Sequence, residues 1–195
     1  MGSIKDEGQR AKPLERHKGN ASDYGYPSLD IEALSAKALE VTRRLTEYYG
    51  ELPFSNKDPM SQLVDIILSH RTRDEQTAAA YDNLLKRFGS WEAVRDAPTG
   101  EVQAQIENVN WPEAKAPRLQ ALMRRITEER GELNLDFLCD LPVEEGAAWL
   151  SRLEGVGPKT TACVLLFSCQ KPILPVDTRA PTWCFQHRTR CPFPA

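Results

Sequence analysis

The chain has 195 residues, of which 41% are hydrophobic, and a formal net charge of −3, values that fit one domain with or without tails. No apolar run approaches the roughly 20 residues that cross a bilayer, and the first residues do not resemble a secretory signal, so we expect neither a membrane-spanning nor a secreted protein. The net charge gives no sign of a nucleic-acid binder, which is expected to carry a basic surface.

Helical periodicity begins after an irregular N-terminal segment. Residues 1–27 mix charges with glycine, proline and serine without a repeat, and we expect them to form a disordered tail. Residues 28–50 then hold one predicted helix, which Gly50 ends. Its apolar residues recur every three or four positions, which predicts one hydrophobic stripe. The stripe consists of Ile31, Leu34, Ala38, Val41, Leu45 and Tyr48.

Several helix-start signals follow the first helix. A helix is predicted to start at Asp58-Pro59. Thr72 and Glu75 have the spacing of a capping box, which predicts another start just after Thr72. Ser90-Trp91 begins a short helix, and Thr99 can cap the next one.

Later helices complete an all-α pattern. Apolar spacing predicts a long helix over 113–130. Because proline breaks a helix interior, either Pro117 lies in the first turn or the helix starts later than residue 113. Two more helices are predicted near 143–152 and 158–170. The one apolar run that could form a strand, at 172–176, is short and interrupted by proline. The predicted fold class is therefore all-α, with short connections.

The stretch RLEGVGPKTT joins the last two predicted helices. A nucleotide-binding phosphate loop needs glycine directly before its lysine, and here Pro158 occupies that position. A tight hairpin fits better, with Leu153 and Val156 as its apolar anchors. Gly155 and Gly157 permit a positive φ and leave backbone amides uncovered. Free amides beside a helix start form an anion site suited to a DNA phosphate.

Positive charge is concentrated at the C-terminal end of the chain. Lysines and arginines balance acidic residues over 1–50, whereas 151–195 carries +4, which leaves −7 for the middle of a chain with a net charge of −3. A basic end can bind a polyanion locally, although a solvated basic tail would have the same composition.

The stretch LEGVGPKTTACVLL, followed by PVDT, resembles the helix-hairpin-helix and Gly/Pro-Asp signature of the endonuclease III superfamily of DNA base-excision glycosylases. LVDIILSHRTRDEQTAAAYDNLLKRFGS and WPEAKAPRLQAL are also similar, so the resemblance covers roughly 31–178. It implies a six-helix barrel at 51–171, with the hairpin motif at about 145–170. Residues 28–50 would then belong to a second helical subdomain, and 172–195 would form a catalytic aspartate loop and an atypical tail.

The resemblance implies catalytic roles for Lys159 and Asp177. In family members that also cleave the strand, the matching lysine attacks C1′ of the damaged nucleotide, displaces the base and leaves a Schiff base before β-elimination. The matching aspartate stabilises the cationic transition state. Attack needs a neutral amine, and we expect the helix dipole, nearby arginines and desolvation to lower the pKa of Lys159.

The resemblance also implies a DNA-binding set. In the family, a residue of the loop matching Arg71 enters the gap left by the flipped base, although an arginine here could instead serve the helix dipole. His70 is assigned to the same DNA-binding surface. The simpler interpretation is a structural histidine at the end of a helix, whose hydrogen bonds are made within the protein. Lys115 could contact phosphate or be solvated, while Trp111 and Trp149 could stack on bases or lie in the core. The hairpin members of the set are Leu153, Gly155, Val156, Gly157 and Thr160.

The five cysteines, an odd number, predict reduced thiols in an intracellular protein, located in the cytoplasm or nucleoid of a bacterium or in a eukaryotic nucleus. Many endonuclease III relatives hold a [4Fe–4S] cluster through four C-terminal cysteines. Cys184 and Cys191 have the C-x6-C spacing of the first half of that set, but they follow Asp177 too closely and no cysteine comes after them. We therefore expect no cluster and no metal.

The family pattern ends after Asp177, where the periodicity stops and prolines intrude. This predicts a truncated, frame-shifted or divergent end and an incomplete second subdomain. The helix at 31–49 would then lack packing partners and expose its apolar stripe.

The predicted function is base-excision repair by a monomeric DNA glycosylase with AP lyase activity, which breaks the strand at the abasic site. Its expected partner is double-stranded DNA containing damaged bases or abasic sites, with oxidised pyrimidines as the expected lesions and oxidised purines as the second choice. The alternative is a catalytically impaired or non-catalytic hairpin module that touches only the DNA backbone.

Overall fold

The computed structural model describes residues 30–51 and 57–177. Within them the secondary structure is helical and no strand occurs, which confirms the all-α fold class. None of these helices combines the length and apolar character needed to cross a membrane. The starts predicted at Asp58-Pro59 and Ser90-Trp91 are confirmed. The helices are α1 (Ile31–Tyr49), α2 (Pro59–Ser69), α3 (Asp74–Phe88), α4 (Trp91–Asp96), α5 (Thr99–Gln105), α6 (Pro112–Arg130), α7 (Val143–Leu150) and α8 (Pro158–Cys169), with a 3-10 turn at Asp136–Cys139.

The chain divides into one unit that ends at Pro53 and a second that begins at Phe54. α1 is the described helix of the first unit, and the predicted tail at 1–27 lies outside the described residues. Asp30 caps α1 through its carboxylate, and Gly50, with φ of 79°, ends it as predicted. The large apolar side chains of α1 are exposed, and the sequence predicted such exposure for its hydrophobic stripe. They are Leu34, Leu39, Val41, Leu45, Tyr48 and Tyr49.

The second unit is built around α2, most of whose residues are buried. α8 packs more extensively against α2 than any other helix does. This packing places the end of α2 beside the first turn of α8, where His70 Nε2 lies 3.3 Å from Thr160 Oγ1. Complete burial of large apolar side chains supplies the stabilisation, at roughly 1.5–3 kcal/mol each. Those from α2, α3, α6 and α8 include Leu63, Leu68, Leu84, Leu119, Met123, Ile126 and Leu165.

Two predicted helix caps are wrong because tertiary partners take the capping hydroxyls. α3 follows Arg73, which makes no side-chain cap, and the hydroxyl of Thr72 instead accepts a hydrogen bond from Lys115. Thr99 lies inside α5 and donates to Gln120 at 2.6 Å. Both partners belong to α6, so long-range contacts replaced the local ones that the sequence suggested.

Pro117 lies deeper in α6 than predicted. The helix begins at Pro112, directly after Trp111, and runs to Arg130, so Pro117 is its sixth residue. Proline cannot donate to the carbonyl of Glu113, which removes one hydrogen bond from the helix. The helix continues past this point because its inner face is buried in the core on both sides of the proline.

A disulfide joins Cys139 of the 3-10 turn to Cys169 at the end of α8. The prediction of reduced thiols is therefore wrong for this pair, because counting cysteines could not show that the fold brings these two residues together. Their Cα atoms lie 4.7 Å apart across 30 positions of sequence. Cys163 is free and buried. Cys184 and Cys191, with the rest of the predicted atypical tail, lie outside the described residues.

Replacing both Cys139 and Cys169 by serine should lower the free energy of unfolding by about 2–4 kcal/mol, because the cross-link restricts the unfolded chain. Urea denaturation of the variant and the wild type measures this difference. Reductant should destabilise the wild type by the same amount and leave the double variant unchanged. Equal unfolding midpoints for the oxidised wild type and the variant would contradict the prediction.

Candidate active site

The structure brings Lys159 and Asp177 together. Lys159 is the second residue of α8, and its Nζ donates a hydrogen bond to Asp177 Oδ2 at 2.7 Å. Both side chains remain about half exposed, at 54% and 48%. The contact therefore forms an ion pair that a molecule entering from solvent can reach.

The segment that carries Asp177 turns back after α8. Gln170, with φ of 52°, is the C-cap of α8 in the left-handed conformation, which reverses the direction of the chain. The amide of Lys171 then donates to the carbonyl of Leu165 at 3.0 Å. This reversal returns the end of the segment to the start of α8, where Lys159 lies.

The hairpin between α7 and α8 forms at the predicted place. Its anchors Leu153 and Val156 are buried, and the amide of Val156 closes the turn on the carbonyl of Leu153 at 3.1 Å. Gly155 takes the left-handed conformation, with φ of 81°. Gly157 does not: it is the extended N-cap of α8, with φ of −88°, and nothing lies close to the position of a Cβ there. Thr160 is buried in the next turn.

Arg118 of α6 is a neighbour of the hairpin that sequence reasoning missed. Its guanidinium lies directly against Gly155, so a Cβ at that position would collide with it. The arginine thus adds a positive charge next to the hairpin amides. Nothing in the local sequence signals this contact, since Arg118 is 37 positions away from Gly155.

Arg71 and Trp111 form a stacked pair at the edge of the site. Both have left-handed backbones, with φ of 53° and 57°. The Arg71 guanidinium lies 5.7 Å from the centre of the Trp111 ring, within the range of a cation–π contact. Trp111 is 50% exposed, so of the two positions considered for it, the one in the core is wrong. Trp149 is half-buried and packs against Phe137, as expected for a structural residue.

His70 and Lys115 belong to the same site as this pair. Burial lowers the pKa of His70, and the nearby charges of Lys115 and Arg118 act in the same direction, so the imidazole is neutral at physiological pH. Lys115 is only 6% exposed, so the expectation of a solvated lysine is wrong. Its Nζ donates to backbone carbonyls and to a hydroxyl, and burial lowers its pKa to about 8.

These groups surround an open pocket of about 1200 Å³. The pocket is large enough to hold a ligand of nucleotide size. Four cations from different elements of the fold line it, together with three carboxylates and several apolar and polar side chains. The cations are Arg71, Lys115, Arg118 and Lys159, the carboxylates are Asp65, Asp74 and Asp177, and the other lining residues include Gln62, Ile66, Cys163 and Phe167.

The pKa of Lys159 is raised, contrary to the sequence-based expectation. The hydrogen bond from its amine to Asp177 stabilises the ammonium form, and this effect exceeds the opposing one of desolvation. In the ligand-free protein Lys159 is therefore protonated, and its proton must leave before the amine can act as a nucleophile.

Among the described residues no group of three or more His, Cys, Asp or Glu side chains is arranged to hold a metal ion. Cys184 and Cys191 lie outside these residues, so the expectation of no metal and no cluster stays a prediction. The described cysteines also do not fit a four-thiolate cluster, because Cys139 and Cys169 are bonded to each other and Cys163 lies in the pocket wall.

Comparison with known proteins gives one family and several relatives. A family model described as "HhH-GPD superfamily base excision DNA repair protein" matches residues 64–181. A candidate DNA glycosylase of Arabidopsis thaliana is 37% identical over 60% of this chain, and the match covers 40% of that relative. Endonuclease III of Thermotoga maritima is 31% identical over 72% of this chain and 60% of its own length. The chain thus spans less than two thirds of these relatives.

Solved structures share the fold. An endonuclease III in a non-covalent DNA complex aligns with a TM-score of 0.60 at 17% identity, over 76% of this chain and 66% of that one. The Clostridium acetobutylicum 8-oxoguanine glycosylase/lyase, in a DNA complex, aligns with a TM-score of 0.64 at 21% identity, over 84% and 58%. Because the family model spans more than half of the chain, the protein belongs to the HhH-GPD superfamily of base excision DNA repair proteins.

Proposed function

We propose that this protein is a DNA glycosylase with AP lyase activity, in which Lys159 is the nucleophile and Asp177 its acid–base partner. The observation that carries the proposal is the 2.7 Å contact between the amine and the carboxylate at an open pocket, next to the hairpin. The similarity of the fold to an 8-oxoguanine glycosylase/lyase also supports it.

The reaction starts with a proton transfer along this contact. The ammonium of Lys159 gives its proton to Asp177, which leaves a neutral amine and a carboxylic acid. The amine lone pair forms a bond to C1′ while the bond from C1′ to the base breaks, and the departing base takes the proton from Asp177. The carboxylate that remains faces the cationic sugar and stabilises it.

The second half of the reaction breaks the strand. The C1′–O4′ bond then breaks, and the ring oxygen takes a proton from the nitrogen that joins Lys159 to C1′, which gives an iminium and an open sugar. The Asp177 carboxylate takes a proton from C2′, and the electron pair left behind expels the 3′ phosphate. Water finally hydrolyses the imine and releases the lysine. Base excision and strand cleavage therefore share one covalent intermediate.

DNA binding follows from the hairpin and the cations beside it. The open amide face at Gly157 and the guanidinium of Arg118 suit a backbone phosphate. We assign to Arg71 and Trp111 the role of filling the space that a nucleotide leaves when it rotates out of the duplex, a step that costs about a few kcal/mol. The damaged base would then enter the pocket, where the neutral His70 offers a hydrogen-bonding group.

The proposed lesions are oxidised pyrimidines, which the similarity to endonuclease III supports, with oxidised purines second, which the similarity to an 8-oxoguanine glycosylase/lyase supports. The other candidate function is a hairpin module that binds the DNA backbone without catalysis. That function would be favoured if no nucleophile lay near the hairpin. In this structure Lys159 lies in α8, the helix that directly follows the hairpin.

Lys159→Ala should abolish the covalent complex that borohydride traps between the protein and abasic duplex DNA, because the imine nitrogen is removed. Gel electrophoresis of the trapped complex measures this loss. Lys86→Ala, which changes an exposed lysine of α3, is the matched control and should trap like the wild type. Undiminished trapping by Lys159→Ala would overturn the assignment of the nucleophile.

Asp177→Asn should move the pH midpoint of trapping on pre-formed abasic DNA to lower pH. Asp177 raises the pKa of Lys159, so without the carboxylate the amine becomes neutral at lower pH. Excision of an intact damaged base should fall by about 100- to 1000-fold, because stabilisation of the cationic sugar is lost. A midpoint that stays in place or rises would show that the ion pair does not control the nucleophile.

Arg71→Ala should slow excision from a lesion in duplex DNA, because the gap left by the extruded nucleotide is no longer filled. Trapping on a single-stranded abasic oligonucleotide should stay within about threefold of the wild type, since no duplex has to be opened. Single-turnover kinetics on the two substrates measures both effects. Equal losses on both substrates would argue against a gap-filling role.

A further inference from the structure

We propose that Lys115 is a positioning residue that holds the Arg71 loop, defined as residues 70–73 between α2 and α3, in its active conformation. The inference rests on the proposed function for its effect on catalysis, but its structural part can be tested separately. It concerns a lysine that lines the pocket yet gives its amine hydrogen bonds to acceptors of the protein itself.

The amine of Lys115 uses all three of its donors on the end of α2 and on the loop. Nζ lies 2.6 Å from the carbonyl oxygen of Leu68, 2.9 Å from that of His70 and 2.9 Å from the hydroxyl of Thr72. An ammonium has three donors, so none remains for a ligand. Lys115 therefore differs from Lys159, whose amine is exposed and has one carboxylate partner.

These contacts complete the hydrogen bonding at the end of α2. The carbonyls of Ile67 and Ser69 accept from the backbone amides of His70 and Thr72, whereas the carbonyl of Leu68 accepts from Lys115. Lys115 reaches this carbonyl from the first turn of α6, and it also binds the carbonyl of His70, 45 positions earlier in the chain. A cation at a helix C-terminus is also favoured by the helix dipole.

The Arg71 loop needs such support because its backbone is in an unfavourable conformation. Arg71 has φ of 53°, which residues with a side chain rarely adopt and which persists only where the surroundings fix it. Asn110, just before α6, adds two more contacts: its side-chain amide donates to the carbonyl of Arg71, and its backbone amide donates to Thr72 Oγ1 at 3.2 Å. The start of α6 thus fixes the backbone of the loop from both sides of Arg71.

The consequence for function is indirect. Arg71 stacks on Trp111, which is the N-cap of the same helix, so loosening the loop would separate the pair that fills the duplex gap. Lys115 itself does not need to touch DNA for this effect. Displacement of a positioned group by about 1 Å can reduce a rate by roughly 100-fold.

Gln120→Met provides a matched control for Lys115→Met. Gln120 lies on the same helix, is fully buried, and donates to the carbonyls of Val94 and Ala97 at 2.9 and 2.7 Å. It therefore makes the same kind of contact with a different loop, away from the pocket. Thr72→Val is a milder variant that removes one acceptor from Lys115 and remains available if Lys115→Met does not fold.

Hydrogen–deuterium exchange tests the structural part without any activity. In Lys115→Met, the amides of His70 and Thr72 should exchange at least about tenfold faster than in the wild type, while those of α8 stay protected. Thr72→Val should speed exchange at His70 in the same direction, and Gln120→Met should leave this loop unchanged. Unchanged protection of the loop in Lys115→Met would overturn the proposal, as would equal loosening in Gln120→Met.

A double-mutant cycle tests the functional part. Lys115→Met and Arg71→Ala should each slow excision from a duplex by about 10- to 100-fold. The double variant should be no slower than the slower single variant, because both changes disable the same loop. Multiplied losses, or a similar loss in Gln120→Met, would overturn the proposal. A wild-type protein that fails to trap abasic DNA would instead refute the proposed function and leave the exchange experiment to decide on Lys115.

Discussion

The site depends on the packing of α8 against the buried helix α2. Hydrophobic contact between them supplies the stabilisation and fixes the two helices side by side. The end of α2 then presents His70 and the Arg71 loop, while the start of α8 presents Lys159 and Thr160. Because α8 carries the nucleophile and α2 leads into the Arg71 loop, any change in their packing would displace the nucleophile and the loop relative to each other.

The local arrangement of charged side chains, and not the net charge of the chain, determines the electrostatic character of the pocket. The chain as a whole carries −3, yet cations converge on this pocket from α6, from α8 and from the Arg71 loop. A different interaction holds each cation. Lys115 donates hydrogen bonds to backbone carbonyls, Lys159 forms an ion pair with Asp177, and Arg71 makes a cation–π contact with an indole ring. Since salt screens exposed charges beyond roughly 10 Å, an approaching polyanion would respond mainly to this local field.

Features that arise from neighbouring residues were predictable. The hairpin follows from Gly155 and its apolar anchors, and the ends of α1 and α3 follow from glycines with positive φ. The predicted caps at Thr72 and Thr99 failed because buried groups of α6 compete for the same hydroxyls. The position of Pro117 within α6 was mispredicted for the same reason. Core packing stabilises the first turn of a helix that local rules would start later.

The sequence by itself determined the helical class, the hairpin and the two residues that face each other at the pocket. The class and the hairpin follow from periodicity and from the glycine and apolar spacing of the turn, whereas Lys159 and Asp177 were assigned through the resemblance of the motif to the endonuclease III superfamily. Only the tertiary structure decided the raised pKa of Lys159, the burial of Lys115 and the bond between Cys139 and Cys169. The physical reason is that desolvation, charge–charge contact and cross-linking act through space, between groups that lie 18 to 47 positions apart in the sequence.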